Sequence, residues 1–202
     1  MKSITIVFLL FALIDSAYAM EINVNPRSII SSLDKSLAPE LDILRVTTEI
    51  SSDNRIVFQV KTKGERDQGN EDDYLLLQIL HEKAYVFLIP VNKKEEINAL
   101  IYDDIFNKDY ALSREFKRSP SNLIADLNLN RITNGAEFLI PLDWINFGAD
   151  FGFDAYTVQA EVNRDMIKII KIYDQAGKAR KSEKLFSAIL LLNKLCAPKR
   201  LN

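Results

Sequence analysis

Apolar and polar residues alternate strictly along two neighbouring stretches of the chain. Leu44, Val46, Thr48 and Ile50 share one face of an extended segment, with Arg45, Thr47 and Glu49 on the other. Ile56, Phe58, Val60 and Thr62 repeat the pattern against Arg55, Gln59 and Lys61. A period of two is the mark of a half-buried strand. Residues Ser51 to Asn54, between the two, bond their own backbone readily and tolerate a tight bend, so the pair reads as a hairpin with both apolar faces on one core. YLLLQIL (74–80) and AYVFLIPV (84–91) are apolar on both faces and bracket a His-Glu-Lys turn, which suits a hairpin buried in mid-sheet or between layers. A third hairpin is signalled by NLIADLNLNRITNGAEFLIPL (122–142), where Asn134-Gly135 accepts positive φ most readily. Leu123, Ala125, Leu127 and Leu129 share a face of its first strand, and Phe138 and Ile140 a face of its second. A fourth joins AYTVQAEV (155–162) to MIKIIKIYD (166–174) across Asn-Arg-Asp.

Eight or nine strands in hairpins, with no long helices between them, predict a mostly β fold: an antiparallel β-sandwich, jelly-roll or immunoglobulin-like, with a C-terminal α-helix. RSIISSLDKSL (27–37) reads as one or two helical turns, and RKSEKLFSAILLLNKLC (180–196) as the terminal helix. In the latter, Leu185, Ile189, Leu192 and Leu195 fall at helical spacing, Phe186 and Leu190 broaden the apolar face, and Arg180, Lys181, Lys184 and Lys194 make the ends basic. That face either covers a side or open end of the sandwich or makes an interaction surface for a second copy or a membrane. The helix is too short to span a bilayer. Residues 93–121 lack a clear period, with KEEINALIYDDIFN (94–107) as a short helix and the remainder as a long loop.

The chain opens with Met1-Lys2, an apolar run from Ile4 to Ile14 and small residues at Ala17 and Ala19, the layout of a secretory signal peptide cleaved after Ala19. The expected organisation is a signal peptide at 1–19, an N-terminal extension at 20–40, the sandwich at 41–174, and the helix and tail at 175–202. Such a chain belongs in a bacterial periplasm or outside the cell. Lys and Arg number 26 against 28 Asp and Glu, with no long run of one sign, which argues against a nucleic-acid binder. Cys196 is the only cysteine, so no intramolecular disulfide forms, and a link between two chains is the one disulfide open to it.

The richest stretch in candidate chemistry is EFLIPLDWINFGADFGFDAY (137–156). Its Trp144, the only Trp, is either a stacking platform for a ligand or a plug at the end of the core. Asp143 beside it, with Tyr102 and Tyr110 from the poorly patterned segment, completes the candidate ligand contacts. Phe147, Phe151 and Phe153 favour the plug, because aromatics this dense usually bury one another. Asp67, Glu71, Asp72 and Asp73 in DQGNEDD offer oxygens to calcium, though without the spacing of a helix-loop-helix calcium hand; a solvated loop is the plainer account. Catalysis finds little support. His81 is the only histidine and sits at a turn, and there is no Gly-x-Ser-x-Gly elbow. One His and one Cys cannot build a zinc site from those ligands.

Two segments resemble the family 9 carbohydrate-binding modules and the related DOMON-like domains. PELDILRVTTEISSDNRIVFQVKTKG (39–64) is similar to that group's opening hairpin, with Asp42 before the strand, and GAEFLIPLDWI (135–145) looks like its late strand, with Glu137 and Pro141 in the matching places. The resemblance implies an extracytoplasmic sandwich that binds sugars without chemistry, or haem in some members, with calcium in some modules. Sugar modules of the family clamp their ligand between exposed Trp side chains, and here there is one. The expected function is a secreted or periplasmic noncatalytic binding protein for a saccharide or cell-envelope glycan. The alternative is a secreted protein-interaction factor working through the 93–121 loop or the C-terminal helix.

Overall fold

A computed structural model of the chain describes residues 27–65, 70–92, 101–104, 112–118, 126–176 and 186–198. The expected signal peptide, Asp67, Tyr110, Leu185, and most of the 93–121 segment and of the expected helix at 94–107 fall outside them. Two antiparallel sheets and one C-terminal helix make up the fold, an antiparallel β-sandwich.

The first sheet grows from the expected hairpin of β2 (Ile43–Ile50) and β3 (Arg55–Thr62), whose turn places Asn54 at φ 58°. Ile56, Phe58, Val60 and Thr62 turn inward as the alternation requires. In β2 a bulge between Ile43 and Arg45 shifts the phase, so that Ile43 is buried and Leu44 only half-buried. β9 (Gly135–Pro141) takes the free edge of β3 and hairpins with β8 (Asn128–Ile132) on its far side. β1 (Ser28–Ile30) pairs with β2, giving the order β1-β2-β3-β9-β8. The stretch from Arg27 thus starts as a strand, not as helical turns. The exposed edge of β2 supplies backbone partners that a lone helical turn would lack: Thr48 N–H donates to the Arg27 carbonyl and Ser31 N–H to the Leu44 carbonyl, both at 2.9 Å.

The second sheet is built on β4 (Asp73–His81), β5 (Lys83–Pro90), β10 (Asp150–Val162) and β11 (Met166–Gln175). Two strands lie in the segment read as helix and loop: β6 (Ile101–Asp104) and β7 (Glu115–Arg118). Each is four residues long, too short to show a period. β10 pairs with β4, β4 with β5, β5 with β6, β6 with β7, β7 with β11, and β11 returns to β10. Six strands therefore close into a ring, helped by two bulges between β10 and β11. A short β12 (Phe186–Ser187) adds to the start of β10.

Ring closure explains why β4 and β5 are apolar on both faces. Leu75, Leu77, Ile79, Phe87 and Ile89 face the first sheet and share one core with its Phe58 and Phe138 and with Phe151 and Phe153 of β10. Leu76, Leu80, Val86 and Leu88 face the ring interior, where they meet Tyr102, Phe116, Tyr156 and Ile167. One hairpin serves two cores. Each side chain so buried contributes about 1.5–3 kcal/mol. Buried polar groups pin the layers together. Asp174 Oδ2 on β11 accepts the Ile43 N–H at 2.8 Å, and Thr157 Oγ1 on β10 donates to the Leu41 carbonyl at 2.6 Å. Asp42, fully buried, accepts the Asp34 N–H and orders the loop ahead of β2.

The helix α1 (Ala188–Cys196) is capped by Ser187, whose Oγ accepts the Leu190 N–H at 3.1 Å. It buries Ala188, Leu191 and Leu195 in the sandwich core. The expected face through Ile189 and Leu192 is rotated outward: Ile189 is 53% exposed and Leu192 half-buried, while Phe186 belongs to β12 opposite Phe151. The β12 pairing and the Ser187 cap fix the helix start, and with it which face turns in. At the other end the Arg27 guanidinium donates to the carbonyls of Lys194, Leu195 and Ala197. No helix among the described residues is long and apolar enough to cross a membrane.

Candidate functional site

Alternation in the first sheet decides what its outer face displays. With Ile29, Val46, Phe58, Phe138 and Leu129 inside, their chain neighbours point out. The registers Ser28↔Thr47, Thr47↔Gln59, Gln59↔Glu137 and Glu137↔Asn130 then line up one polar row across all five strands. At its centre Gln59 Nε2 donates to Glu137 Oε1 at 2.9 Å. The row above it runs Ile30, Arg45, Lys61, Gly135 and Ile132. Gly135 has φ 150° and a close approach to β3, since a Cβ there would stand 1.9 Å from the Val60 carbonyl oxygen.

Where these rows meet the β8–β9 turn lies an open depression of about 690 Å³, lined by Gln59, Lys61, Glu65, Arg131, Ile132 and Thr133. Lys61 Nζ donates to the Thr133 carbonyl at 2.9 Å. Glu65 accepts the Asn134 N–H at 2.5 Å. Arg131 points between the sheets, and its Nη2 donates to the carbonyls of Pro90 and Asn92 at 3.2 and 2.7 Å. The site is a shelf of carboxamide, carboxylate and ammonium groups, with Gln59 held by the Glu137 side chain and Lys61 and Glu65 by backbone partners. It offers both donors and acceptors to a hydroxyl-rich ligand. It contains no imidazole or thiol.

The aromatic candidates are placed elsewhere. Trp144 follows β9 in a single 3-10 turn (Leu142–Trp144) and packs half-buried against the sandwich core, edge-on to His81 at 4.8 Å and to Tyr85 at 5.1 Å between ring centres. Phe151 and Phe153 are buried against Phe58. This cluster closes one end of the sandwich. His81, only 3% exposed, accepts the Asn146 N–H on Nε2 at 2.9 Å, and burial holds its pKa below the usual histidine value, opposed by the charge of Glu82. Tyr102 is fully buried in the ring core and donates to the Asn163 carbonyl, so its ring has no face for an external ligand. Asp143 is exposed beside Trp144. Tyr110 lies outside the described residues.

In the acidic loop, Glu71 and Asp72 are exposed, whereas Asp73 is buried and accepts the Tyr173 hydroxyl at 2.9 Å. Burial, reinforced by the Asp73 carboxylate, pushes the Tyr173 phenol up to about 12. Among the described residues no three His, Cys, Asp or Glu side chains converge to hold a metal. Asp42, Glu137 and Pro141 separate: Asp42 is structural, Pro141 ends β9, and Glu137 belongs to the polar row. Gln59, Lys61, Thr47 and Asn130 are the site residues that sequence reasoning missed. Alternation does put each on the outer face; what it lacks is the register of β3 on β9, which joins residues nearly eighty positions apart. Compared with known proteins, the chain matches no family model, no curated protein and no solved structure.

Proposed function

We propose that this is an extracytoplasmic, noncatalytic binding protein that takes a saccharide on the outer face of its five-stranded sheet. The observation that carries the reading is the in-register row Ser28, Thr47, Gln59, Glu137 and Asn130, with the hydrogen-bonded Gln59–Glu137 pair at its centre and the Lys61 depression beside it. Planar amide and carboxylate groups present paired donors and acceptors, the chemistry that reads vicinal hydroxyls. The resemblance of residues 39–64 and 135–145 to sugar-binding sandwiches, and the signal-peptide layout of the first nineteen residues, point the same way.

The test is retention on a glycan array and on insoluble polysaccharides by the protein from residue 20 onward, beside the Gln59→Ala/Glu137→Ala double variant and Trp144→Ala. The reading expects retention by the wild type, a loss of at least about tenfold in the double variant from hydrogen bonds to a charged group worth roughly 1.5–3 kcal/mol each, and none in a folded Trp144→Ala. Retention on no glycan, or equal retention by the double variant, refutes it.

A further inference from the structure

Large apolar side chains stand exposed at seven described positions, and three of these gather at the Trp144 end: Phe147 at 51%, Ile189 at 53% and Leu190 at 46% exposure. Their two segments adjoin. Ala188 N–H donates to the Ala149 carbonyl at 3.1 Å, and Ser187 sits opposite Asp150 in register. The first turn of α1 is thereby held beside the 146–149 loop. Next to them runs an open groove of about 560 Å³, with Pro141, Leu142 and Phe147 as its apolar lining and Asp53, Asp126 and Asp143 as its charged one. Arg55 is the single cation in the lining, and it is already engaged, with Nε 3.0 Å from Asp53 Oδ2 and Nη1 donating to the Asp126 carbonyl at 2.6 Å. Exposed Glu82 and Asp150 add to the same sign nearby.

A clustered exposed apolar surface on a folded domain marks an interaction site, and the charge around this one selects the partner. We propose that the groove and the neighbouring Ile189–Leu190 turn dock a basic segment of a protein, in which aliphatic or aromatic anchors alternate with Lys or Arg. The anchors meet Phe147, Leu142 and the α1 turn; the cations meet Asp126 and Asp143. An anionic bilayer is the wrong complement, because its surface attracts basic patches and repels this rim. This surface is separate from the polar row of the first sheet, so the two readings stand or fall independently.

Panning a random twelve-residue phage-displayed library on the protein from residue 20 onward, with counter-selection on a Phe147→Ser/Asp143→Asn variant, tests the proposal. Both substituted side chains are exposed, and circular dichroism checks that the variant keeps its fold. Expected are enriched peptides rich in Lys or Arg and in Leu, Ile or Phe, binding at least tenfold weaker to the variant, weaker in high salt, and unchanged by Gln59→Ala. Amide shifts on titrating an enriched peptide fall at 53–55, 141–150 and 188–190. Enrichment of neutral or acidic sequences, no enrichment, binding that survives in the variant, or shifts confined to other surfaces overturns the proposal, as does stronger binding to phosphatidylglycerol vesicles than to any enriched peptide.

Discussion

Arg27 holds the C-terminal helix from outside it. Its guanidinium reaches the carbonyls of Lys194, Leu195 and Ala197, groups that a helix end leaves without an internal partner. Arg27→Met keeps most of the aliphatic stem and removes the charge and donors. A cation at a helix C-terminus contributes about 0.3–1 kcal/mol, and one or two net hydrogen bonds in this half-exposed setting add about 1 kcal/mol each. The total is near 2 kcal/mol. Burial of Leu191 and Leu195 supplies roughly 1.5–3 kcal/mol apiece, so the substitution should loosen α1 without releasing it. Amide hydrogen exchange under native conditions reads this directly. Amides of Leu191 to Cys196 should exchange about thirtyfold faster, the factor that corresponds to 2 kcal/mol, while β3 and β4 amides keep their protection. Leu191→Ala, at about 2–5 kcal/mol, should exceed the Arg27 effect. Unchanged exchange in α1, or an equal acceleration in every strand, refutes the idea of a local clamp.

Two further outcomes follow from single residues. Gly135→Ala must move a Cβ that would lie 1.9 Å from the Val60 carbonyl oxygen, at a backbone φ of 150°, so it should cost at least about 3 kcal/mol in urea unfolding; a loss under about 1 kcal/mol would show that β9 relaxes away from β3. Burial depresses the His81 pKa, and the fold uses the neutral ring because Nε2 accepts the Asn146 N–H. The stability this gives is fully present above the unfolded value of 6.5 and is lost as pH falls from there through the lower folded value. Unfolding free energy should therefore decline more steeply below pH 6.5 in the wild type than in His81→Gln, and parallel profiles would remove His81 as the cause.

The hairpins were legible because each is local: alternation around a turn suffices for β2–β3, β8–β9 and β10–β11, and two apolar runs bracketing a short polar turn suffice for β4–β5. What stayed hidden depends on pairings between distant segments. β7 has a single inward residue, Phe116, so nothing in its sequence announces a strand, yet its contact with β11 closes the ring. The two-faced apolarity of β4 and β5 signalled burial on both sides without showing that two separate cores lie there. Aromatic density around Trp144 foretold the plug correctly for Phe151 and Phe153; Phe147 went the other way, because Asn146 and Gly148 around it form a surface turn in which the Asn146 side chain accepts the Gly148 N–H. Helix α1 was visible as a helix, but its rotation was set by Ser187 and β12, neither of which an apolar stripe encodes.

Closing the ring also removes β4 and β5 as exposed surfaces. Both faces of β4 and β5 are consumed by cores, whereas the far face of β1-β2-β3-β9-β8 is open, and its polar row spans four strand spacings of about 4.8 Å, or roughly 19 Å. The residues of that row, Ser28, Thr47, Gln59, Glu137 and Asn130, include no aromatic, so binding along it relies on hydrogen bonds, each worth about 0.5–1.5 kcal/mol net, or about 1.5–3 kcal/mol where the Glu137 carboxylate takes part. One sugar ring contacting one or two strands gains little from such a surface. A chain laid along the row gains from every strand it crosses, so the saccharide proposed above is expected to be a linear glycan of several units, and a monosaccharide should bind measurably more weakly than its oligomers.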